Sequence, residues 1–293
     1  MMQLQRFLLV CWIPCLVLLL SGCAGGEATI AGPVPLQSAL IERGKILTKG
    51  LAACGFCHGE TATPSSVLAG GQIFHDKFGP VSVANITPAK TGIGLWRDSE
   101  VLRALRASIN KEGNWLSLDA HQGFEWMADE DALAIIAYVR SLPPIEKDIS
   151  RRELSFIDRN TLGFFESRQE VKGFVPRIDK REPLPYGQYL VDHVARCTAC
   201  HNAPGSLIEG EAYLAGGKNI QRGDSTKVAP GITSSRVYGI GDWDADAIKQ
   251  YLKTGSGPDG RTSDPEFCPW QFYAHGSDED LSAIAAYLRT VPG

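Results

Sequence analysis

Two cysteines three positions apart, followed at once by a histidine, occur twice in this 293-residue chain, as Cys54-Gly-Phe-Cys57-His58 and Cys197-Thr-Ala-Cys200-His201. Near a helix turn, such cysteines present both sulfurs to one side. They can add as thioethers to the two vinyl groups of one haem, and the adjoining histidine then reaches the iron as proximal ligand. Two other chemistries use these residues less well. A thioredoxin-like redox pair wants a strand–turn–helix setting and has no need of the histidine. A zinc site needs four ligands in closed geometry, and each motif offers three close together. The spacing therefore predicts two covalently bound haem c groups. Cys54, Cys57, Cys197 and Cys200 hold them, and His58 and His201 bind the two irons.

A sixth iron ligand is expected later in the chain from each motif. The methionines are Met1, Met2 and Met127. Met127 is therefore the one thioether available to the first iron, just ahead of Asp129-Glu-Asp131. Met/His ligation raises a haem's potential. The second motif has no methionine after it. Aligning Asp278-Glu-Asp280 with Asp129-Glu-Asp131 puts Gly276 where Met127 stands and His275 opposite Trp126. Either His275 binds the second iron, giving bis-histidine coordination and a lower potential, or that iron keeps an open or weakly held sixth position. His193 reads as a residue of a solvated helix face, and His75 and His121 read as structural. Cys268 reads as a buried inert thiol, with an intermolecular disulfide or thiolate ligation of the second haem as alternatives.

The elements that position these groups are duplicated. Gly44-Lys-Ile-Leu-Thr-Lys-Gly-Leu-Ala-Ala-Cys54 corresponds to Gly187-Gln-Tyr-Leu-Val-Asp-His-Val-Ala-Arg-Cys197. Leu68-Ala-Gly-Gly71, Asn85-Ile-Thr87, Gly92-Ile-Gly-Leu-Trp96 and Tyr138-Val-Arg140 recur in the same order as Leu214-Ala-Gly-Gly217, Gly231-Ile-Thr233, Gly239-Ile-Gly-Asp-Trp243 and Tyr287-Leu-Arg289. Each copy reads as helical, with no sustained period-two pattern. A first helix is expected to end on the cysteine motif. A middle helix is expected near Asp98–Ala107 and Ala245–Thr254. A final amphipathic helix is expected to start at Asp129 or Ser277 as N-cap and to stop at Pro143 or Pro292.

Arg6 is the only charge before Cys23, and an apolar run extends from Phe7 to Leu20. This has the shape of a secretory signal. Its ending, Leu20-Ser21-Gly22-Cys23, resembles the bacterial lipobox, which implies a lipidated Cys23 as the mature N-terminus. Cys11 and Cys15 fall within the signal. The expected organisation is a signal peptide over 1–22, a flexible tether over 24–36, a first domain over 37–146, a linker over 147–180 that packs across both domains, and a second domain over 181–293. A hydrophobic content of 44% and a charged content of 21% exclude global disorder. A net charge of −4 without a basic stripe gives no case for nucleic acid.

Gly44 and Gly187 precede their motifs by equal distances, and Tyr138 and Tyr287 sit in the final helices. In these features the sequence resembles class I-type cytochrome c domains. There a glycine in the first helix lets it cross the last helix closely against an aromatic residue. Asn85-Ile-Thr-Pro88, Thr91-Gly-Ile-Gly-Leu-Trp96, Met127-Ala-Asp-Glu-Asp131 and Ala137-Tyr-Val-Arg-Ser-Leu-Pro143 look more narrowly like the multi-haem cytochrome subunits of membrane-associated bacterial dehydrogenases for alcohols, aldehydes and sugar acids. The resemblance covers about residues 38–145 and 183–292. It implies an all-α fold of two tandem class I-type cytochrome c domains on the periplasmic side of a membrane, held there by a lipid anchor. It also implies electron transfer with a redox protein partner, such as a dehydrogenase subunit, a quinone-linked complex or a terminal oxidase. Those subunits usually carry three haem domains, and this chain has two. No acid, base or metal cluster stands outside the motifs, so no catalytic residue is assigned. The alternative is a di-haem peroxidase-like or small-oxidant reductase activity at an open second iron.

Overall fold

Copy one runs through α1 (Gln37–Lys49), α2 (Cys54–His58), the strands β1 (Ile73–Asp76) and β2 (Gly79–Ser82), α3 (Asp98–Ala107), a 3-10 turn at Phe124–Trp126, and α4 (Asp129–Ser141). Copy two repeats the order: α5 (Pro183–Tyr189), a π-helical continuation at Leu190–Val194, α6 (Thr198–His201), β3 (Asn219–Arg222), β4 (Ser225–Val228), α7 (Ala245–Thr254), α8 (Trp270–Tyr273) and α9 (Asp278–Leu288). This computed structural model describes residues 37–76, 78–117, 121–152, 155–156, 170–205 and 210–293. The signal, Cys23, the tether over 24–36 and most of the stretch joining the copies lie outside the described residues.

The first and last helices of each copy cross where a glycine leaves no side chain between them. A Cβ on Gly44 would lie 1.8 Å from the carbonyl oxygen of Ala134 and 2.8 Å from Cβ of Tyr138. A Cβ on Gly187 would lie 2.1 Å from the carbonyl oxygen of Ala283 and 2.8 Å from Cβ of Tyr287. Neither position can hold a larger residue without pushing two backbones apart. The middle helices α3 and α7 occupy the spans that their amphipathic pattern predicts.

Three local features differ from the sequence expectation. The first helix does not run into the motif. In copy one, α1 stops at Lys49, and Ala53 takes a left-handed backbone (φ 45°) that starts a new short helix at Cys54. Arg196 does the same (φ 53°) one residue before Cys197. A left-handed conformation is uncommon for a residue with a Cβ, and it recurs at the same position of both copies. Second, each copy contains a short antiparallel hairpin, pairing Ile73 with Ser82 and Asn219 with Val228 at the open ends. Strands of four residues are too short to print a period-two pattern. Third, Ser277 caps α9 by accepting from the Asp280 amide, whereas Asp129 lies inside the first turn of α4. The Asp129 carboxylate accepts from Arg106 at 2.6 Å and from the Val175 amide at 3.2 Å.

The copies share one buried cluster, to which Leu47, Leu51 and Met127 contribute from the first and Tyr189, Leu190 and Leu281 from the second. The Tyr189 hydroxyl is its polar pin. It donates to Asp131 at 2.7 Å and accepts from the Ala128 amide at 3.2 Å, while Arg43 donates to the same carboxylate at 3.0 Å. Burial, then the charge of Asp131, pushes the Tyr189 hydroxyl far above its ordinary pKa and keeps it a donor. His193 is not on a solvated face: it is half-buried, and Nδ1 lies 2.8 Å from the carbonyl oxygen of Gly123 in the other copy. The described ends of the linker are tied down as well. Arg152 pairs with Asp76 at 2.6 Å, Val175 is buried against α4, and Lys180 reaches Asp280 at 3.2 Å. Phe156 is 83% exposed.

Replacing Gly44 or Gly187 by Ala is expected to destabilise the protein by roughly 1–3 kcal/mol, the usual cost of overpacking, read as a lower denaturation midpoint in guanidinium chloride. Asp280 supplies a pH dependence. Burial raises its pKa, but the hydrogen bonds from Tyr186 (2.6 Å) and Ser277 and the charge of Lys180 together hold it below the ordinary 3.8. A depressed carboxylate contributes stability that is present above 3.8 and is lost as pH falls through the lower folded value. Tyr186→Phe is therefore expected to lower stability at neutral pH and to flatten the acid-side loss below about pH 4, as followed by denaturation midpoints across pH.

Candidate haem centres

Each motif histidine is positioned from the backbone outward. The left-handed residue before the motif turns the chain, and the short helix then carries Cys54, Cys57 and His58, or Cys197, Cys200 and His201, on one turn. Nδ1 of His58 lies 2.8 Å from the carbonyl oxygen of Ala84, and Nδ1 of His201 lies 2.7 Å from that of Pro230. A carbonyl can only accept, so the proton sits on Nδ1 and Nε2 carries the lone pair. A backbone acceptor of this kind fixes the tautomer and orientation of a metal-binding histidine. The two carbonyls are themselves repeat equivalents, since Ala84 precedes Asn85-Ile-Thr87 and Pro230 precedes Gly231-Ile-Thr233. Burial pushes both imidazoles below their usual 6.5, so both are neutral at pH 7.

The five described cysteines carry no disulfide. Burial pushes all five thiols up, Cys54 to about 11 and Cys268 to about 12. The donor set of each copy is thus two neutral thiols on one turn beside a neutral imidazole whose tautomer leaves Nε2 as the basic nitrogen. This fits haem c, which needs two thiol S–H groups to add to vinyls and one such imidazole for iron.

The two cysteine motifs lie near the boundary of the copies. Cys57 and Cys200 are near enough to act on each other electrostatically. Arg222 lies close to both: its charge is felt by Cys57 and Cys200, and its guanidinium lies 4.2 Å from the Phe56 ring and 3.7 Å from the Phe74 ring. Arg196 faces Cys54, Cys57 and Cys200 and lies 4.1 Å over Phe124. Phe56 meets Phe272 edge-on across the same boundary.

The remaining sequence-derived residues are placed as follows. Met127 is 0% exposed, within the shared core, and its carbonyl accepts from Arg106. His275 is exposed, as is its counterpart Trp126, and shares a surface hollow with Glu42, Lys45 and Lys49 of α1. His75 is exposed on β1. Cys268 lies with the second motif, where its charge is felt by Cys197 and that of Cys200 by Cys268. His121, which the sequence reading made structural, stands ring to ring with His58 at 6.2 Å between centroids. His121 lies three residues before the short helical turn that precedes the last helix of copy one, and Cys268 lies two residues before the corresponding turn of copy two. Nearness to that turn, rather than to the acidic triplet, is the sequence signal that marks both.

No family model matches the chain. Over 295 residues, 94% of this chain and 58% of the relative, it is 31% identical to the fructose dehydrogenase cytochrome subunit of Gluconobacter japonicus. It is 31% identical over 271 residues to the cytochrome c subunit of the quinone alcohol dehydrogenase of Gluconacetobacter polyoxogenes, covering 87% of this chain and 57% of that one. It is 29% identical over 254 residues to a diheme cytochrome c-type protein of Cereibacter sphaeroides, covering 83% and 82%. The chain is thus a homologue of cytochrome c subunits of dehydrogenases. It spans little more than half the length of the dehydrogenase subunits it matches. A general electron-transfer role and haem c follow from this relationship.

Arg222 offers a direct measurement. Burial lowers its pKa, yet a guanidinium stays charged at neutral pH. A cation beside a haem opposes the extra positive charge of ferric iron. Arg222→Met is expected to lower the haem midpoint potential by tens of millivolts, a tenfold change in equilibrium constant being about 59 mV for one electron, in a spectroelectrochemical titration.

Proposed function

We propose that this chain is an exported di-haem cytochrome c, built of two tandem class I-type domains, that passes electrons from a dehydrogenase to a respiratory acceptor. The observation that carries this reading is one arrangement found in both copies, a short cysteine-bearing helix whose histidine is held through Nδ1 by a backbone carbonyl. Phe56 of copy one meets Phe272 of copy two edge-on beside the motifs, so haems held by the two motifs would share that boundary, which would favour exchange between them. The chain's own residues supply what electron transfer needs. Ala84 and Pro230 hold the proximal imidazoles in one tautomer. Phe56, Phe74 and Phe272 line the boundary with aromatic rings, and Arg222 and Arg196 place fixed positive charge beside it. When bound, each haem contributes a one-electron iron couple; the protein sets its ligands, burial and spacing.

The redox partner is a dehydrogenase subunit on one side and a quinone-linked complex or terminal oxidase on the other. The names of the relatives point to the oxidation of alcohols or sugar derivatives as the upstream class of reaction. Among the described residues no helix is long and apolar enough to cross a membrane. Attachment through a lipidated Cys23 follows from the signal-like N-terminus, several acyl chains on one residue being a stable anchor.

Purified protein is expected to contain two haems per chain by pyridine haemochrome assay, and one after Cys197→Ser with Cys200→Ser. A single haem in the unmodified protein refutes the reading. In the same expression host, Cys23→Ala is expected to move the holoprotein from the membrane to the soluble periplasmic fraction.

A further inference from the structure

We propose that His121 is the sixth ligand of the first haem, opposite His58, so that copy one carries a bis-histidine iron. This rests on the reading of Cys54–His58 as a haem-attachment site. The first observation is the ring geometry. The His58 and His121 centroids are 6.2 Å apart and the rings are inclined by 30°. Two imidazoles bound through Nε2 to opposite faces of one metal, with metal–nitrogen bonds of about 2.0 Å, have centroids roughly 6 Å apart. A direct imidazole–imidazole hydrogen bond of about 2.9 Å would bring the centroids about 1 Å closer.

The second observation is how each ring is held. Nδ1 of His121 lies 2.8 Å from the carbonyl oxygen of Ala104 at the end of α3, as Nδ1 of His58 lies 2.8 Å from that of Ala84. Both rings therefore carry the proton on Nδ1 and present Nε2 as the basic nitrogen. Two histidines gripped in the same way by backbone carbonyls form a matched pair of ligands with their tautomers already chosen.

The third observation is where Met127 stands. It is 0% exposed in the shared core, and its backbone carbonyl and the neighbouring Asp129 are held by Arg106 at the start of α4. Its repeat counterpart is Gly276, which has no side chain to ligate with. In the corresponding loop of copy two, Cys268 is likewise a residue of ligating type beside the second motif. Met127 thus serves the packing under α4, and His121 serves the iron. Imidazole in place of thioether gives the first haem a lower potential than Met/His ligation would.

The test uses the full-length holoprotein and its His121→Met, His121→Ala and Met127→Leu variants. Haem content by pyridine haemochrome comes first. Failure to load two haems in the unmodified protein would sink the haem-site reading itself, whereas two haems with the wrong ligands would sink this proposal alone. Ferric protein is then examined by near-infrared magnetic circular dichroism. The unmodified protein is expected to show a bis-histidine signature for one haem and no methionine–iron charge-transfer band. Met127→Leu is expected to leave the spectra and midpoints unchanged. His121→Ala is expected to convert one of the two haems to a high-spin form that added imidazole returns to low spin. His121→Met is expected to introduce a methionine–iron band and to raise one midpoint, and it covers the case in which the alanine variant fails to fold. A methionine–iron band in the unmodified protein, loss of low-spin character in Met127→Leu, or unchanged spectra in both His121 variants would each overturn the assignment.

Discussion

The crossing of first and last helices at a glycine is the contact from which each copy is built. With no Cβ on Gly44 or Gly187, the backbone of the opposing helix comes within van der Waals contact of the first helix, and Tyr138 or Tyr287 closes over the crossing. The ends of the helices are thereby fixed. The cysteine motif follows the first helix after a short turn, so its position depends on the same contact. The loop that carries His121 or Cys268 leads into the last helix, so it depends on the contact too. One steric constraint thus positions both the cysteine motif and the loop that carries His121 or Cys268.

Within that frame, backbone groups do the fine positioning. A left-handed residue before each motif turns the short cysteine helix away from the line of the first helix. Carbonyls of Ala84, Pro230 and Ala104 grip histidine Nδ1 atoms and choose their tautomers. The polar network of Tyr189, Asp131, Arg43 and the Ala128 amide then locks copy to copy. A buried carboxylate of this sort is tolerable because three donors surround it or its hydroxyl partner; losing one would leave a desolvated charge short of a bond.

The boundary between the copies is where duplication stops being mere repetition. Cys57 and Cys200 approach one another there, with Arg222 and Arg196 supplied by copy two and Phe56, Phe74 and Phe124 by copy one. Copy two has Ala199 where copy one has Phe56. This is an asymmetric seam, in which aromatic rings from one side cover cations from the other. Such a seam holds positive charge at half-buried positions, where it is screened less than at the open surface.

The sequence by itself determined the duplication and the expectation of haem attachment. Cysteine spacing, the adjacent histidines, the repeated glycines and the amphipathic middle helices are local patterns, and local patterns are written in residue order. It also carried the expectation of close helix crossings at Gly44 and Gly187, which the backbone geometry matches. Tertiary structure decided which side chains meet. His121 stands by His58, Cys268 by Cys197 and Cys200, and His275 on the surface, because a loop's path depends on packing from helices distant in sequence. The carbonyls that orient the histidines were equally hidden, since a backbone oxygen is the same in every residue and only the fold aims it. The sharing of one core by both copies rests on surfaces that no single copy's pattern distinguishes from an ordinary apolar stripe.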